Sequence, residues 1–426
     1  MQTSGKRALK FLETLSFTRC GGTKEEHKAA QMIKEEVESF GGKAYTEEFT
    51  IPFYEELEVE FSITEPYVKS YNATIYGMSG STIEEGIEKD FLYVGNATMI
   101  EHMDVKDKIV LLNERVSYKA YKQLNECGVA GFITFSGMFD DDNEKTDIDV
   151  RILRHGHTKY GEVPGITIRV ADALEIVQKK ATKAKLLVKQ DMKESTSMNV
   201  IAEIKGEIDE EIIFCGHYDS VEYSKGAYDN GAGSVIIMEI MRHFQDITPK
   251  RTMKFVWFGA EERGLLGSKD YVKRHKEELK NIKLVVNVDM AGVILGQDCA
   301  IVSADLSLKH MVDLLGKELG FSVKTSHDVY SSDSTPFAFE GVPAISFARF
   351  SARGGAMLHN RQDVFSSMDG DSLENTINFI KEFSDRINNS VYFPVPRDIP
   401  ENIQKKLKEY MDRSNGILKE DKKKEE

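Results

Sequence analysis

One segment of the sequence, from Glu210 to Gly267, concentrates side chains that can bind metal ions or transfer protons. It contains two apolar, strand-like runs, and polar side chains follow each run within a few residues. These side chains are His217 and Asp219 after the first run, Asp229 at the start of the intervening helix, and Glu261 with Glu262 after the second run. Because open α/β sheets bind ligands at the carboxyl ends of their strands, we expect a polar site at this edge.

Two later residues extend this set. Asp289 ends the next apolar run, in Val-Asn-Val-Asp-Met-Ala-Gly, and His359 stands in Met-Leu-His-Asn-Arg-Gln-Asp. Taken singly, such residues are more often helix caps or solvated charges, and Asp229 alone could be an N-cap. Their recurrence at successive strand ends of one α/β unit favours a metal site. Histidines and carboxylates without cysteine suit Zn, with Co or Mn as possible substitutes.

The charge balance favours two ions over one. Three ligand carboxylates and one hydroxide carry four negative charges, which two divalent cations balance, whereas one cation would leave a buried site strongly negative. Asp229 can bridge two ions, because a carboxylate has two oxygens and paired catalytic ions lie about 3.5–4 Å apart. Asp219, two residues after His217, is placed to accept the other N–H of that imidazole.

The composition limits the classes of partner. The chain has 426 residues and a net charge of -14, which argues against nucleic acid or an anionic membrane as the main partner. The first residues predict an amphipathic helix rather than a signal peptide, and no run approaches the roughly 18 apolar residues that span a bilayer. Four widely spaced cysteines indicate reduced thiols. We therefore expect a cytoplasmic protein.

The pattern of apolar runs predicts an α/β fold. From Met198 onward, strands alternate with helices, which predicts a mixed, mostly parallel central sheet with helices on both faces. The short connection between Asn199–Ile204 and Ile212–Cys215 predicts an antiparallel hairpin. Between residues 66 and 192, short apolar runs alternate with acidic loops, which indicates a small β-rich unit inserted into the larger one.

Five sequence blocks, in this order, resemble the MH-clan di-zinc aminopeptidase family, which includes leucyl-type aminopeptidases, glutamate carboxypeptidases and transferrin-receptor-like proteins. The likeness covers residues 195–390 well and 1–65 loosely. The blocks are Cys-Gly-His217-Tyr-Asp219-Ser, Gly-Ala-Tyr-Asp229-Asn-Gly-Ala-Gly, Phe-Gly-Ala-Glu261-Glu262-Arg-Gly-Leu-Leu-Gly-Ser, Val-Asn-Val-Asp289-Met-Ala-Gly and Leu-His359-Asn-Arg-Gln-Asp363.

The resemblance implies a role for each residue of the set. It implies that His217 and Asp289 are the terminal ligands of one zinc and that Glu262 and His359 are those of the other. It implies that Asp229 bridges the two ions. It further implies that Glu261 is the general base and that Asp219 orients His217. It also implies a cis peptide bond between Asp229 and Asn230. Sequence chemistry alone leaves open which of the two adjacent glutamates binds metal.

The resemblance also predicts the domain organisation. Residues 1–65 and 193–396 are expected to form the di-zinc peptidase domain. Residues 66–192 resemble the protease-associated (PA) domain that many such enzymes carry as an insert, in the runs Lys106–Leu112 and Val163–Ile168. Such an insert is expected to wall one side of the substrate cleft. Residues 397–426 are expected to be a charged tail, forming a surface helix that ends in disorder.

Two positions depart from the family pattern. Some relatives place a tyrosine before the last histidine ligand, where it stabilises the oxyanion, but Leu358 stands there in this chain. The run Ser331-Ser-Asp333-Ser334 resembles a Ser-Asp-His turn of relatives with serine in place of histidine, and we expect it to line the site. The sequence therefore leaves the oxyanion donor unassigned.

The function that these features predict is zinc-dependent removal of N-terminal residues from peptides, with Glu261 as the base. A carboxypeptidase or dipeptidase would share the metal site and differ in the groups that bind the substrate's ends, for which Arg349, Arg353 and Arg361 are candidates. A non-catalytic binding protein of the transferrin-receptor type and a one-zinc cyclase are weaker alternatives, because the ligand set is intact. The expected partner is a peptide substrate, without nucleic acid or membrane.

Overall fold

The structure, a computed structural model, describes residues 2–113 and 115–417, with the side chains of residues 97–99 and 155 left out. The chain divides into two compact units. Unit 1 comprises Met1–Ile51 and Thr196–Met411, and unit 2 comprises Pro52–Ser195 and Asp412–Glu426. Among the helices of the described residues, none combines the length and apolarity needed to cross a bilayer.

Helices and strands alternate along most of the chain. The helices are α1 (Gly5–Leu15), α2 (Lys24–Ser39), α3 (Tyr118–Glu126), α4 (Val170–Gln178), α5 (Ala232–Phe244), α6 (Leu266–Arg274), α7 (Leu306–Leu319), α8 (Ser334–Phe339), α9 (Gly370–Asn389) and α10 (Glu401–Ser414). The strands are β1 (Ala44–Glu65), β2 (Lys69–Tyr71), β3 (Thr74–Gly77), β4 (Ile87–Gly95), β5 (Ile109–Leu112), β6 (Gly131–Ser136), β7 (Arg151–Ile152), β8 (Gly165–Arg169), β9 (Lys183–Ile204), β10 (Ile208–His217), β11 (Arg251–Phe258), β12 (Ile282–Val288), β13 (Gly296–Ser303), β14 (Val323–His327) and β15 (Ala344–Ser351).

The sheet of unit 1 is mixed and mostly parallel, as predicted. Its strand order is β14-β13-β15-β12-β10-β11-β9. The pairs β10–β11, β10–β12, β12–β15 and β13–β14 are parallel, whereas β11–β9 and β13–β15 are antiparallel. The predicted hairpin of β9 with β10 is wrong, because β11 lies between them. Every residue of β11 is buried, so this strand lies in the interior of the sheet, where it separates β9 from β10.

Helices cover both faces of this sheet. Alternate residues of β10 and β11 point to opposite sides, so that Phe214 and Phe255 join one apolar cluster while Ile213 and Val256 join another. The first cluster is covered by α1, α2, α5, α7 and α9, and the second by α6, α8 and α10. Because both faces are buried, the strands read as continuous apolar runs, and polar residues appear where the strands end.

The tail differs from the prediction. Helix α10 buries Ile403, Leu407 and Met411, which recur at intervals of four residues and therefore lie on one face of the helix. This face packs into the second apolar cluster of unit 1, so α10 is part of the core rather than a surface helix. The chain after residue 417 lies outside the described residues, and its predicted disorder stays a prediction.

Unit 2 has its own core and its own set of strand pairs. Strands β4, β5, β6 and β8 are parallel neighbours, β3 pairs with β8 and the start of β9 pairs with β4. Tyr121, Phe132, Ile166 and Leu186 are among its buried residues. The division falls after residues 51 and 195 rather than 65 and 192, because part of the long strand β1 belongs to unit 2. The PA-domain identity stays a prediction.

Candidate metal centre

Three of the predicted ligands meet where β10 and β12 end. These strands are parallel neighbours, with Cys215 opposite Asn287, so the residues that follow them lie side by side. His217 is the last residue of β10 and Asp289 directly follows β12. The His217 Nε2 atom lies 3.1 Å from Asp229 Oδ1 and 3.5 Å from Asp289 Oδ1. We call His217, Asp229 and Asp289 the inner cluster.

The remaining two ligands meet at the other oxygen of Asp229. Glu262 follows β11, and His359 lies in the loop after β15. The His359 Nε2 atom lies 3.0 Å from Asp229 Oδ2 and 3.1 Å from Glu262 Oε1. We call Asp229, Glu262 and His359 the outer cluster. The two oxygens of Asp229 are thus divided between the clusters, which is the arrangement that a bridging carboxylate requires.

The side chains fit divalent cations. Within each cluster the potential ligand atoms lie within 4.8 Å of one another. Glu262 Oε1 and Asp289 Oδ1 are buried, and each has only an imidazole nitrogen of the clusters nearby, at 3.1 Å and 3.5 Å, without a well-aligned hydrogen bond from any described residue. A buried carboxylate oxygen without a donor is costly unless a cation satisfies it. Imidazole nitrogens combined with carboxylate oxygens are a donor set that zinc favours.

The carboxylates control the protonation of both histidines. Burial alone would lower the pKa of each imidazole, but the nearby carboxylates outweigh it. They hold the pKa of His217 well above its usual range and raise that of His359 to about 11. Burial and the charge of Asp229 raise the pKa of Glu262 to about 7. The side chains alone therefore retain protons at neutral pH, and cations that bind here must displace them.

Asp219 supports the turn that carries the paired glutamates. Its two oxygens accept the backbone N–H groups of Glu261, at 3.0 Å, and of Glu262, at 3.2 Å. It also lies 3.4 Å from Nδ1 of His217, the atom that it is predicted to orient. One buried carboxylate therefore links the strand end that carries His217 to the turn that carries the predicted base. Burial and the neighbouring carboxylates raise the pKa of Glu261 well above its usual range.

Glu26 stands three residues after Thr23, which is the spacing of a helix capping box. Thr23 does cap α2, since its side chain accepts the Glu26 N–H. The Glu26 carboxylate, however, accepts the N–H of Gly22 at 2.6 Å and that of Ala260 at 2.9 Å. The glutamate is fully buried, and Ala260 directly precedes Glu261. Glu26 therefore positions the predicted base from a distant part of the chain.

Asp363 positions the shared ligand. This aspartate is fully buried, and its carboxylate accepts the N–H of Tyr228 at 2.7 Å and that of Asp229 at 3.1 Å. It follows His359 by four residues, so the loop that supplies one ligand also holds the backbone of another. The sequence block containing His359 includes Asp363, but residue type and spacing alone gave it no role.

Arg19 fixes the loop between His217 and Asp229. Its fully buried guanidinium donates to the backbone carbonyls of Tyr218, of Lys225 at 2.7 Å and of Gly226 at 2.7 Å. No motif in the sequence marked this residue, because its partners are backbone oxygens about 200 positions away.

The backbone at the centre is unusual at several points. Ala260, Met290 and His359 have φ values of 50°, 60° and 59°, in the left-handed region that non-glycine residues rarely adopt. Each of them is a predicted ligand or lies next to a predicted site residue, which fits the tendency of such conformations to cluster at functional sites. The peptide bond between Asp229 and Asn230 is cis, as the resemblance implied.

The arginines predicted as candidates for binding a substrate carboxylate have different surroundings. The Arg349 guanidinium pairs with Asp298 and donates to the carbonyl of Val293 at 2.8 Å. Its charge is therefore compensated within the protein. Arg353 and Arg361 are exposed in the loop before and after His359.

Comparisons with known proteins find similarity over the segment that contains this site. The model of peptidase family M28 matches residues 199–384, which include every predicted site residue. Carboxypeptidase Q of Xenopus laevis is 28% identical over 306 residues, covering 67% of this chain and 65%, just under two thirds, of the relative. Aminopeptidase YwaD of Bacillus subtilis is 26% identical over 343 residues, covering 77% of this chain and 71% of the relative.

A solved structure agrees with the fold. The crystal structure of BSAP, a zinc aminopeptidase from Bacillus subtilis, superposes with a TM-score of 0.77 at 22% identity, covering 93% of this chain and 99% of that one. This likeness establishes the α/β fold with its mostly parallel sheet. Over residues 199–384 this chain is therefore similar to peptidase family M28, and the relatives that it matches are named aminopeptidase and carboxypeptidase.

Proposed function

We propose that the chain is a two-metal aminopeptidase that removes N-terminal residues from peptides. The observation that carries this proposal is the sharing of Asp229 between two clusters with the predicted base beside them. His217 and Asp289 would hold one zinc, and Glu262 and His359 the other. The matched relatives are named aminopeptidase or carboxypeptidase, which supports an exopeptidase.

The chemistry assigns a task to Glu261. Two divalent cations in these clusters would act as Lewis acids that activate a water molecule and polarise the scissile carbonyl. The Glu261 carboxylate accepts the proton that the water loses as it attacks, and returns it to the leaving amine as the C–N bond breaks. The Glu261 N–H donates to Asp219 and the Ala260 N–H donates to Glu26, which fixes the backbone from which the Glu261 side chain extends.

The charges around the site favour a substrate with a free amine. Carboxylates surround both clusters, and together they attract an ammonium group. Arg349, which would favour a substrate carboxylate, is already paired with Asp298. Of the three candidate arginines, a carboxypeptidase or dipeptidase would have only the exposed residues Arg353 and Arg361 to bind the substrate carboxylate. An aminopeptidase needs no cationic side chain for this purpose.

The role of Glu261 is tested by Glu261→Gln. The substitution keeps the size of the side chain but removes the base, so turnover should fall by about 10²- to 10⁴-fold. Zinc content, measured by atomic emission, should stay at the wild-type value. Glu277→Gln, at an exposed position outside the clusters, is the matched control and should leave turnover unchanged. Near-normal turnover of Glu261→Gln would contradict the assignment.

Substrate polarity is tested with a panel of peptides that are blocked at one end or the other. The native, chelated and zinc-restored protein would be assayed on aminoacyl anilides, N-acetylated peptides and C-terminally amidated peptides. An aminopeptidase cleaves substrates with a free amine, tolerates the amide and loses activity on chelation. Cleavage that requires a free carboxylate would instead establish the carboxypeptidase alternative.

A further inference from the structure

We propose that Tyr228 is a positioning residue whose hydroxyl anchors the loop that supplies His359 and thereby sets the affinity of the outer cluster for its cation. This inference rests on the two-metal site of the proposed function. The His359 side chain is 38% exposed, so core packing contributes little to its position. That position therefore depends on how the surrounding loop is held. We call this loop, residues 351–363, the His359 loop.

The hydroxyl of Tyr228 holds the start of the His359 loop. It donates to the Arg349 carbonyl at 2.9 Å and accepts the Ser351 N–H at 3.1 Å. Both partners belong to the end of β15, which extends beyond its last pair with β12, Val288 with Phe347. The hydroxyl therefore takes the place of a neighbouring strand, because it supplies partners to backbone groups of β15 that lie beyond the end of β12.

The backbone of the same residue holds the end of the His359 loop. The Tyr228 N–H donates to Asp363 Oδ1 at 2.7 Å, and Asp363 is a fully buried residue that follows His359 by four positions. Ser351 and Asp363 thus both bind Tyr228, one on each side of the ligand. Holding both ends of a segment reduces the number of conformations in which its middle lies away from the site.

The shared ligand has anchors of its own. The Asp229 N–H donates to Asp363 Oδ2 at 3.1 Å. The next residue, Asn230, donates its side-chain amide to the Val288 carbonyl at 2.9 Å and accepts the Met290 N–H at 3.2 Å. Loss of the Tyr228 hydroxyl should therefore leave Asp229 and the inner cluster in place and release the start of the His359 loop.

Tyr228 acts through this loop and not on a substrate. Its side chain is buried, with 1% of the residue exposed, and the proton of its hydroxyl is donated to the Arg349 carbonyl. A buried phenol whose donor and acceptor are both engaged by backbone does not reach a bound peptide. Its contribution should therefore be measurable as metal affinity, in the absence of any substrate.

The test is Tyr228→Phe, which removes the hydroxyl and keeps the ring, with the chelated protein titrated with zinc in a calorimeter. We expect the affinity of the outer cluster to fall by about 10- to 100-fold, the usual effect of losing a contact that orients a ligand. The affinity of the inner cluster should stay within about threefold of the wild type. The binding event that is lost in His359→Ala identifies the outer cluster.

Tyr121→Phe is the matched control. Tyr121 is a fully buried phenol of unit 2, and its hydroxyl likewise donates to a carbonyl, that of Ser79 at 3.1 Å, and accepts an N–H, that of Val163 at 3.0 Å. The substitution removes the same kind of hydrogen bonds outside the metal clusters. Both zinc affinities of this variant should equal those of the wild type within about threefold.

A second measurement tests the anchoring without metal. Arg353 is exposed within the His359 loop and offers a site for trypsin. In chelated Tyr228→Phe, cleavage after Arg353, located by mass spectrometry, should be at least about fivefold faster than in the chelated wild type, because the loop opens more often. Tyr121→Phe should be cleaved there at the wild-type rate.

The outcomes separate this inference from the proposed function. Zinc affinities of Tyr228→Phe equal to those of the wild type would overturn the role of Tyr228. Equal weakening of both ions would also overturn it, because Tyr228 would then act on Asp229 and not on the loop, as would a similar loss in Tyr121→Phe. A wild-type protein that binds two zinc ions but hydrolyses no peptide would overturn the proposed function alone. Binding of a single zinc ion by the wild type would overturn both.

Discussion

The inner and outer clusters share Asp229 but are built from different kinds of structure. In the inner cluster, His217 and Asp289 stand at the ends of neighbouring core strands, and their side chains are 1% and 7% exposed. In the outer cluster, His359 belongs to a loop and its side chain is 38% exposed. We infer that the inner position is formed by the sheet itself, whereas the outer position also requires the loop after β15 to be in place.

The largest effect should follow removal of the residue that the clusters share. Asp229→Ala removes one ligand from each cluster, so we expect neither zinc to be retained on dialysis. Turnover should fall by at least about 10⁴-fold, since metal-ion catalysis supplies several kcal/mol of charge stabilisation. Asp305→Ala, which removes an aspartate that caps α7, should retain its zinc. One zinc retained by Asp229→Ala would show that Asp229 is not shared.

The two histidines should differ in what their loss does to the fold. His217→Ala leaves the buried carboxylates of Asp219 and Asp289 without their imidazole partner. Removing one partner of a buried ion pair lowers the free energy of unfolding by about 3–5 kcal/mol. His359→Ala acts at a side chain that is 38% exposed, where solvent screens the ion pairs, so the metal-free protein should lose less stability than in His217→Ala. Urea unfolding of the chelated variants measures both. Equal destabilisation by the two variants would remove the distinction between the clusters.

The zinc content of the same variants gives a second comparison. His359→Ala should retain one zinc, held at the inner cluster, because His217 and Asp289 are unaffected. Atomic emission after dialysis against a weak chelator measures the number retained. Loss of both ions from His359→Ala would mean that the inner position also depends on the loop.

Asp363 connects the two clusters, and its replacement should weaken both. Asp363→Asn keeps the shape of the side chain but not the charge that binds the N–H groups of Tyr228 and Asp229. Loss of such a supporting contact typically reduces metal affinity by 10- to 100-fold, so we expect about that change in competition with a chromophoric chelator. Asp305→Asn is the matched control. Unchanged affinity would show that the Asp229 backbone is held without Asp363.

The smallest effect concerns pH and involves mainly the outer cluster. Folding raises the pKa of His359 from 6.5 to about 11, so the stability that its protonated form provides is complete below pH 6.5 and is lost as pH rises toward 11. The pKa of Glu262 is also raised, from 4.5 to about 7, and acts in the same direction. The chelated protein should therefore lose stability as pH rises.

Zinc affinity should have the opposite pH dependence. Binding releases the proton of His359, so affinity should rise by up to about tenfold per pH unit for each proton released. Thermal unfolding of the chelated protein and zinc titration, both between pH 6 and 9, measure the two slopes. In His359→Ala the part of each slope due to this histidine should disappear. If stability and zinc affinity changed in the same direction with pH, the proposal that His359 is protonated in the metal-free protein would be contradicted.

The sequence predicted the ligands better than the contacts that support them. His217, Asp229, Glu262, Asp289 and His359 are residue types that bind metals, and they follow strands whose apolar pattern is easily recognised. The structure brings all five together. Their individual roles as ligands of particular ions remain predictions that the variants above test.

The supporting contacts carried no comparable signal. Glu26 and Arg19 act on backbone groups about 200 residues away, and no local pattern encodes such a pairing. The strand order could not be predicted from the apolar pattern either. The short connection after β9 suggested a hairpin of β9 with β10, but the buried strand β11 lies between them. Residue type and apolar periodicity predict the secondary structure of a segment, whereas its contacts with distant residues depend on the tertiary fold.

The central claim, that two ions share Asp229, is tested most directly by titrating the chelated protein with zinc and following heat and bound metal together. We predict two zinc ions per chain, the first bound more tightly at the inner cluster and the second lost in His359→Ala. Saturation at one zinc per chain in the wild-type protein would contradict the claim.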